Sequence, residues 1–137
     1  MQNSTYCYLT ASSDHMTLEE MAKLTKLNYS NGATKGEKIK HGGRGGYYQY
    51  SFIDYKFTDK TSYELEESLN MLLDELEKDK NGIKNLIERT NACINICKHQ
   101  YISANAGIHF DKEIIRRINE LNLDIDIDIY CVGEYMP

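Results

Sequence analysis

The clearest alternation of apolar and polar positions lies near the end of the chain. Positions 124 to 131 read DIDIDIYC. Because successive side chains of a strand point to opposite faces, this stretch predicts a strand with one apolar and one polar face. The polar face carries Asp124, Asp126, Asp128 and Tyr130. The preceding residues, 112–121, have helical periodicity and predict a helix whose apolar face comprises Ile114, Ile115, Ile118 and Leu121.

Three more stretches predict strands: residues 5–11, 47–57 and 92–102. In the first, Cys7 and Leu9 alternate with Tyr6 and Tyr8. The second is aromatic on both sides, so its core-facing side is left open. The third alternates between one face with Ala92, Ile94 and Ile96 and another with Asn95, Cys97, His99 and Tyr101.

Two further stretches predict longer helices. A capping box of Thr17 and Glu20 opens the first, which ends near Asn28. The second covers residues 61–78, with a capping box of Thr61 and Glu64, a leucine stripe from 65 to 76, and an end at residues 81–82. Residues 83–87 predict a short additional helix.

Together these elements predict a single α+β domain over residues 1–137. Each helix has one apolar face, so we expect two layers, with helices on one face of a mostly antiparallel sheet. The opposite face would then carry polar and aromatic residues: Tyr6, Tyr8, Asn95, His99, Tyr101, Asp124, Asp126, Asp128 and Tyr130.

Residues 30–46 hold six of the nine glycines and predict a flexible loop, or a short hairpin turning at residues 42–43. Lys35, Lys38, Lys40 and Arg44 make it basic. One functional alternative is therefore a small-ligand or nucleotide-binding regulatory domain that uses this loop. A P-loop would need G-x-x-x-x-G-K-[ST] before a helix, whereas this stretch lacks the string and precedes a predicted strand.

The aspartate triplet of the last predicted strand raises the possibility of a metal site. An EF-hand loop starting at Asp124 would require Gly and Glu where the chain has Ile129 and Tyr135. Alternate carboxylates on a strand diverge instead of converging on one ion. We therefore predict no metal and no cofactor, and expect a cationic group of the chain or of a partner beside the triplet.

A second acidic surface is predicted on the leucine-rich helix. Residues 59–80 contain eight acidic against three basic residues. A solvated helix face explains this, and a docking surface for a basic partner is the alternative. Glu66, Glu67 and Asp74 are the candidates there. Eleven tyrosines favour the docking alternative, because tyrosine is common at interface hot spots.

The four cysteines form no C-x-x-C pair and predict buried thiols in a reducing compartment. Cys97 and His99 share a strand face and are the candidates for a nucleophilic enzyme. The sequence offers no base within assured reach and no orienting group. It also lacks the hydrolase, zinc-protease and dinucleotide-binding motifs. We predict that the protein is not an enzyme.

The formal net charge of −5 argues against nucleic acid as a partner and leaves room for a basic protein. No apolar run is long enough to cross a membrane. No secretory signal is visible, so we expect a cytoplasmic protein without membrane contact.

The string from Gly107 to Phe110, the following Ile- and Leu-rich helix, and the strand from Leu123 to Tyr130 resemble a bacterial family, the domain of unknown function numbered 4279. The acidic pair Glu19-Glu20, the Gly36-Glu37 step, the aromatic strand and the leucine-rich acidic helix extend the resemblance over nearly the whole chain. It implies a small cytosolic bacterial protein, with some members resembling immunity proteins encoded beside toxins. It implies no catalytic residues.

The resulting hypothesis is an immunity-type protein that binds and neutralises a cognate toxin, expected to be basic. The predicted partner-binding residues are Asp124, Asp126, Asp128, Tyr130, Glu66, Glu67 and Asp74.

Overall fold

The computed structural model describes residues 4–40, 45–58, 64–102, 104 and 106–133. The strands are β1 (Ser4–Ser13), β2 (Asn31–Ala33), β3 (Ser51–Tyr55), β4 (Asn91–Tyr101) and β5 (Asp124–Val132). The helices are α1 (Leu18–Ala22), α2 (Leu65–Leu76), α3 (Lys80–Arg89) and α4 (Lys112–Glu120), with a 3-10 turn at Glu77–Asp79 between α2 and α3. No described helix is long and apolar enough to cross a membrane.

The five strands form one sheet in the order β2-β3-β1-β4-β5. All neighbours are antiparallel except β4 and β5, which run parallel because α4 carries the chain back between them. β5 therefore forms one edge of the sheet and β2 the other. The predicted α+β domain with a mostly antiparallel sheet is confirmed.

A single hydrophobic core lies between the sheet and all four helices. The sheet contributes Leu9, Ile53, Tyr55, Ile94 and Ile96, each fully buried. The helices contribute a larger set of buried residues: Met21, Leu69, Leu72, Leu73, Leu76, Ile83, Leu86, Ile87, Ile114 and Ile118. The alternation of apolar and polar residues in β1 and β4 predicts which face of the sheet is buried in this core. None of the described helices covers the opposite face.

The capping box at the start of α1 is confirmed, since Thr17 and Glu20 cap each other's backbone amides. The predicted length of this helix is wrong, because α1 ends at Ala22. The predicted strand over 47–57 is likewise longer than β3. Ser51, Ile53 and Tyr55 form its buried side.

The predicted end of the leucine-rich helix at residues 81–82 is wrong. The 3-10 turn joins α2 to α3, and Asp79 caps α3 by accepting a hydrogen bond from the Gly82 amide at 3.2 Å. The leucine-rich helix, α2, begins at Leu65. Glu64 occupies its N-cap position, but the Glu64 side chain does not accept a capping hydrogen bond. Thr61, the other half of the predicted capping box there, lies outside the described residues.

Two predicted core contacts are also wrong. Ile115 is 55% exposed on α4, and Ile129 is 52% exposed on β5. The buried side of α4 consists of Ile114, Arg117 and Ile118, and β4 is the one strand beside β5 in the described part of the chain. Ile125 and Ile127, nearer the start of β5, pack against the core as predicted.

Residues 35–40 and 45–50 run back along each other, and we call them the hairpin arm. The Ile39 amide donates to the Gly46 carbonyl at 2.8 Å, and Lys38 and Tyr47 form an antiparallel bridge. These contacts fit the hairpin alternative for residues 30–46, and β2 precedes the arm. The flexibility of this stretch stays a prediction. The predicted turn at residues 42–43 lies outside the described residues.

Candidate protein-binding face

The face of the sheet opposite the helices is open, and strand register decides which side chains share it. Tyr6 pairs with Cys97, and Tyr8 with Asn95, between β1 and β4. Between β4 and β5, Asn95 pairs with Asp126, Cys97 with Asp128, and His99 with Tyr130. The predicted polar face is thus assembled from three neighbouring strands.

Four rings form a continuous row across this face, which we call the aromatic row: Tyr8, Tyr6, His99 and Tyr130. The ring centroids of Tyr8 and Tyr6 are 6.4 Å apart, those of Tyr6 and His99 6.3 Å, and those of His99 and Tyr130 5.6 Å. Lys56 places its ammonium 4.5 Å from the Tyr6 ring centroid. The row ends at the sheet edge, where Tyr130 is 52% exposed.

Beside the row, Asp124, Asp126 and Asp128 project from β5 and are all exposed; we call them the acidic edge. The way α4 ends sets their position. Asn122 adopts φ 58°, a left-handed conformation that Asn tolerates, and the Leu123 amide donates to the Ile118 carbonyl at 3.2 Å. The chain then enters β5 with the isoleucines toward the helices.

The acidic edge has no cationic partner within the described chain. No Lys or Arg forms an ion pair with these three carboxylates there, and their register neighbours on β4 are Cys93, Asn95 and Cys97. Asp126 accepts a hydrogen bond from the Cys93 thiol, with Sγ 3.4 Å from Oδ2. The expected cationic group is therefore not supplied by the described residues of the chain.

The acidic residues predicted on α2 lie elsewhere, on the helix side of the sheet, so the structure does not bring the two predicted groups together. Asp74 accepts a hydrogen bond from Arg117 at 2.7 Å, and Glu66 contacts His109 Nδ1 at 2.9 Å. Glu67 is exposed on the same helix. Asp74 and Glu66 thus have intramolecular partners that sequence patterns do not reveal.

Arg117 is the centre of that helix-side network. Its side chain is 9% exposed and donates to Asp74, Glu77 and Asn70. The hydrogen bond to Glu77 is the main reason that the pKa of Arg117 is raised, and Asp74 adds to it. The network joins α4 to α2 and to the following turn.

The thiols of the described residues are all free, and the surroundings of Cys7 and Cys93 disfavour the thiolate. Burial raises the pKa of Cys7 to about 12, and burial together with the contact to Asp126 raises that of Cys93 to about 11. A hydrogen bond to Cys97 is the largest cause that raises the pKa of Tyr6 to about 12. Cys131 is exposed and Cys93 is half-buried, so the prediction that all four thiols are buried holds for Cys7 and Cys97 and is wrong for the other two.

Cys97 and His99 do not form a nucleophile and base in this arrangement. Cys97 is 6% exposed, the described residues contain no hydrogen bond between it and His99, and the His99 ring lies between Tyr6 and Tyr130. Nor do any three His, Cys, Asp or Glu side chains of the described residues converge as metal ligands.

A feature that sequence patterns did not single out is a cavity of about 480 Å³ between the hairpin arm and the open face. Its lining includes Tyr8, Thr10, Tyr48, Phe52 and Asp54. Burial raises the pKa of Asp54, and a hydrogen bond from Thr10 opposes that shift. The alternation of residues 51–55 is the signal that would have placed Phe52 and Asp54 on this face.

A comparison with family models matches residues 3–132 to one family. Comparisons with curated proteins and with solved structures gave no match. Since the matched residues cover nearly the whole chain, the protein belongs to the family described as Domain of unknown function (DUF4279).

Proposed function

We propose that this protein is an immunity-type protein of the bacterial cytoplasm that binds and neutralises a cognate, basic toxin through its open sheet face. The observation that carries the proposal is the acidic edge, three exposed carboxylates with no cationic partner in the described chain. Like charges on neighbouring positions of a strand repel each other. A basic partner would relieve that repulsion and be attracted from a distance.

The aromatic row supplies the second requirement of such an interface. Electrostatic attraction speeds encounter, but affinity depends on a few well-packed anchors, among which tyrosine is enriched. Tyr130 is exposed next to Asp128 and stacks on His99, so its ring is already held in one orientation. An ordered ring loses little conformational entropy on binding.

The position of β5 favours the same surface. It is an edge strand of the sheet, so its outer backbone groups have no strand partner among the residues that the structure describes. Edge strands are available for pairing with another chain, and charged side chains restrict which chain can approach. A toxin segment with basic side chains at alternate positions would complement the acidic edge. Binding of this kind requires no catalysis by the protein.

Co-expression tests the proposal. The partner candidate is the C-terminal domain, about 150 residues, of the protein encoded immediately upstream of this one. It is induced in a test bacterium with and without this chain. We expect growth arrest that this chain relieves, together with co-purification of the pair. Arrest without relief, or no arrest, would contradict the proposal.

A matched pair of variants tests the surface. Asp124, Asp126 and Asp128 are changed to Asn in one variant. In the control, the exposed residues Asp14, Glu19 and Glu88 are changed to Asn, Gln and Gln, which alters the net charge equally. The control is expected to relieve arrest like the wild type, and the edge variant to relieve it less. Equal relief by both would place the interface elsewhere.

One structural feature supports the small-ligand or nucleotide-binding alternative, namely the cavity beside the hairpin arm. A phosphate ligand would need cationic or amide donors there, and the described lining contains no Lys or Arg. The presence of Asp54 favours a ligand of the opposite charge.

A further inference from the structure

The cavity beside the hairpin arm lies on the open face but apart from the acidic edge. β3 and β1 form its floor through Asp54 and Thr10, which are register partners, and through Tyr8 and Phe52. The hairpin arm forms its outer wall through Tyr47, Tyr48 and Tyr50. At about 480 Å³ it is large enough to admit a small organic group.

Asp54 is the unusual group in this cavity. Its Oδ1 is fully buried and has no hydrogen-bond partner among the described residues. None of the described Lys and Arg side chains forms an ion pair with it. A buried carboxylate oxygen without a donor is costly, and such groups are usually paired with a cation.

The aromatic rings that line the cavity also favour a cationic ligand. Tyr48 and Phe52 are in contact, with centroids 5.4 Å apart at an interplanar angle of 53°, and Tyr8 lies on the other side of the floor. Aromatic faces attract cations, most strongly where water is excluded. The same face already uses this interaction once, where the Lys56 ammonium lies over Tyr6.

We propose that this cavity binds an organic cation, an alkylammonium or guanidinium group, with Asp54 as its anionic partner and the rings of Tyr8, Tyr48 and Phe52 as its wall. The cation contacts the ring faces and balances the charge of the Asp54 carboxylate across the cavity floor. The ligand is either a free small amine or guanidine, or a Lys or Arg side chain of a bound protein. The site is independent of the acidic edge, so it can exist whether or not the toxin proposal holds.

The test titrates the purified full-length chain with small probes followed by NMR. The cationic probes are n-butylammonium, n-butylguanidinium, and the blocked amides of lysine and arginine. n-Butanol and butyrate serve as neutral and anionic controls of similar size. We expect the cations to shift the amide resonances of β3 and of the hairpin arm, and the two controls to leave them unchanged.

Variants locate the site. Asp54→Asn keeps the shape and removes the charge, and we expect it to weaken cation binding by about tenfold or more. Tyr48→Leu keeps an apolar wall without the ring face and is expected to weaken binding less. Asp124→Asn removes a carboxylate of the same face outside the cavity, and should change affinity by less than about twofold.

If the free alkyl cations bind more tightly than the blocked amides, the natural ligand is a small molecule. If the blocked amides bind more tightly, the natural ligand is a Lys or Arg side chain of a protein. The proposal is overturned if no cation shifts these resonances, if butanol or butyrate binds equally well, or if folded Asp54→Asn binds the cations like the wild type.

Discussion

Two consecutive arginines on α4 have opposite surroundings. Arg116 is 58% exposed and pairs with Glu113 and Glu120 on its own helix, whereas Arg117 is buried between α4 and α2. Exposed pairs on one helix contribute little to stability, while a buried cation with several acceptors holds elements together. An acidic side chain on the surface is therefore free for a partner only if no such arginine reaches it. Asp74 fails this criterion and the acidic edge meets it.

This contrast predicts different effects of two neighbouring substitutions. Arg117→Ala removes three hydrogen-bonded contacts and leaves space between α2 and α4, so the free energy of unfolding should fall by about 2 kcal/mol. Arg116→Ala, the matched control, should change it by less than about 0.5 kcal/mol. Urea denaturation of both variants measures this. Equal destabilisation would mean that the Arg117 network does not hold the helices together.

The junction of α2 and α3 decides how the helical layer is built. Asp79 uses both carboxylate oxygens there, accepting from the Gly82 amide at 3.2 Å and from the Lys26 amide at 2.7 Å. It therefore ties the segment after α1 to the start of α3. Asn-Gly is a common helix terminator, and the sequence pattern alone predicted a stop at this point. Tertiary contacts of Asp79 explain why a new helix, α3, begins here instead, with Asn81 and Gly82 in its first turn.

Gly82 tests this account at the level of the element. A Cβ at this position would collide with the Asp79 carboxylate and lie 2.9 Å from the Leu24 carbonyl oxygen. Gly82→Ala should therefore lower the free energy of unfolding by about 1 to 3 kcal/mol. A glycine-to-alanine substitution within a helix ordinarily stabilises the protein by up to about 1 kcal/mol. A decrease in the free energy of unfolding would therefore indicate the collision with Asp79.

Asn81→Ala is the matched control, since Asn81 is the adjacent, exposed residue of the same helix turn. It is expected to be neutral or slightly stabilising. Thermal or urea unfolding compares the two variants. A Gly82→Ala protein as stable as the wild type would show that the close approach of Asp79 is not needed.

How far the sequence predicts this molecule differs between elements for physical reasons. Strict alternation marks β1, β4 and β5, because one face of each is core and the other is open. Helical periodicity marks α2, α3 and α4 for the same reason. The short β2, the hairpin arm and the ends of α1 and α2 depend on contacts between residues distant in sequence, such as the Lys38–Tyr47 bridge. No local pattern encodes those contacts.

The site shows the same division at the scale of the whole molecule. The alternation of residues 124–131 was enough to place the acidic edge and Tyr130 on one surface. Sheet order was needed to bring Tyr8, Tyr6 and His99 into line with Tyr130, and to put Glu66 and Asp74 on the helix side. The Asp54 cavity depends on the hairpin arm folding over β3, which no periodicity predicts.

We propose that the open face, through its acidic edge, binds a basic protein. The most direct measurement is the dissociation constant for the purified toxin domain at low and high salt. The wild type is compared with the Asp124, Asp126 and Asp128 to Asn variant and with the Asp14, Glu19 and Glu88 control. We predict that the edge variant binds about tenfold more weakly at low salt and has a shallower salt dependence, while the control resembles the wild type. Identical affinity and salt dependence in all three proteins would contradict the account.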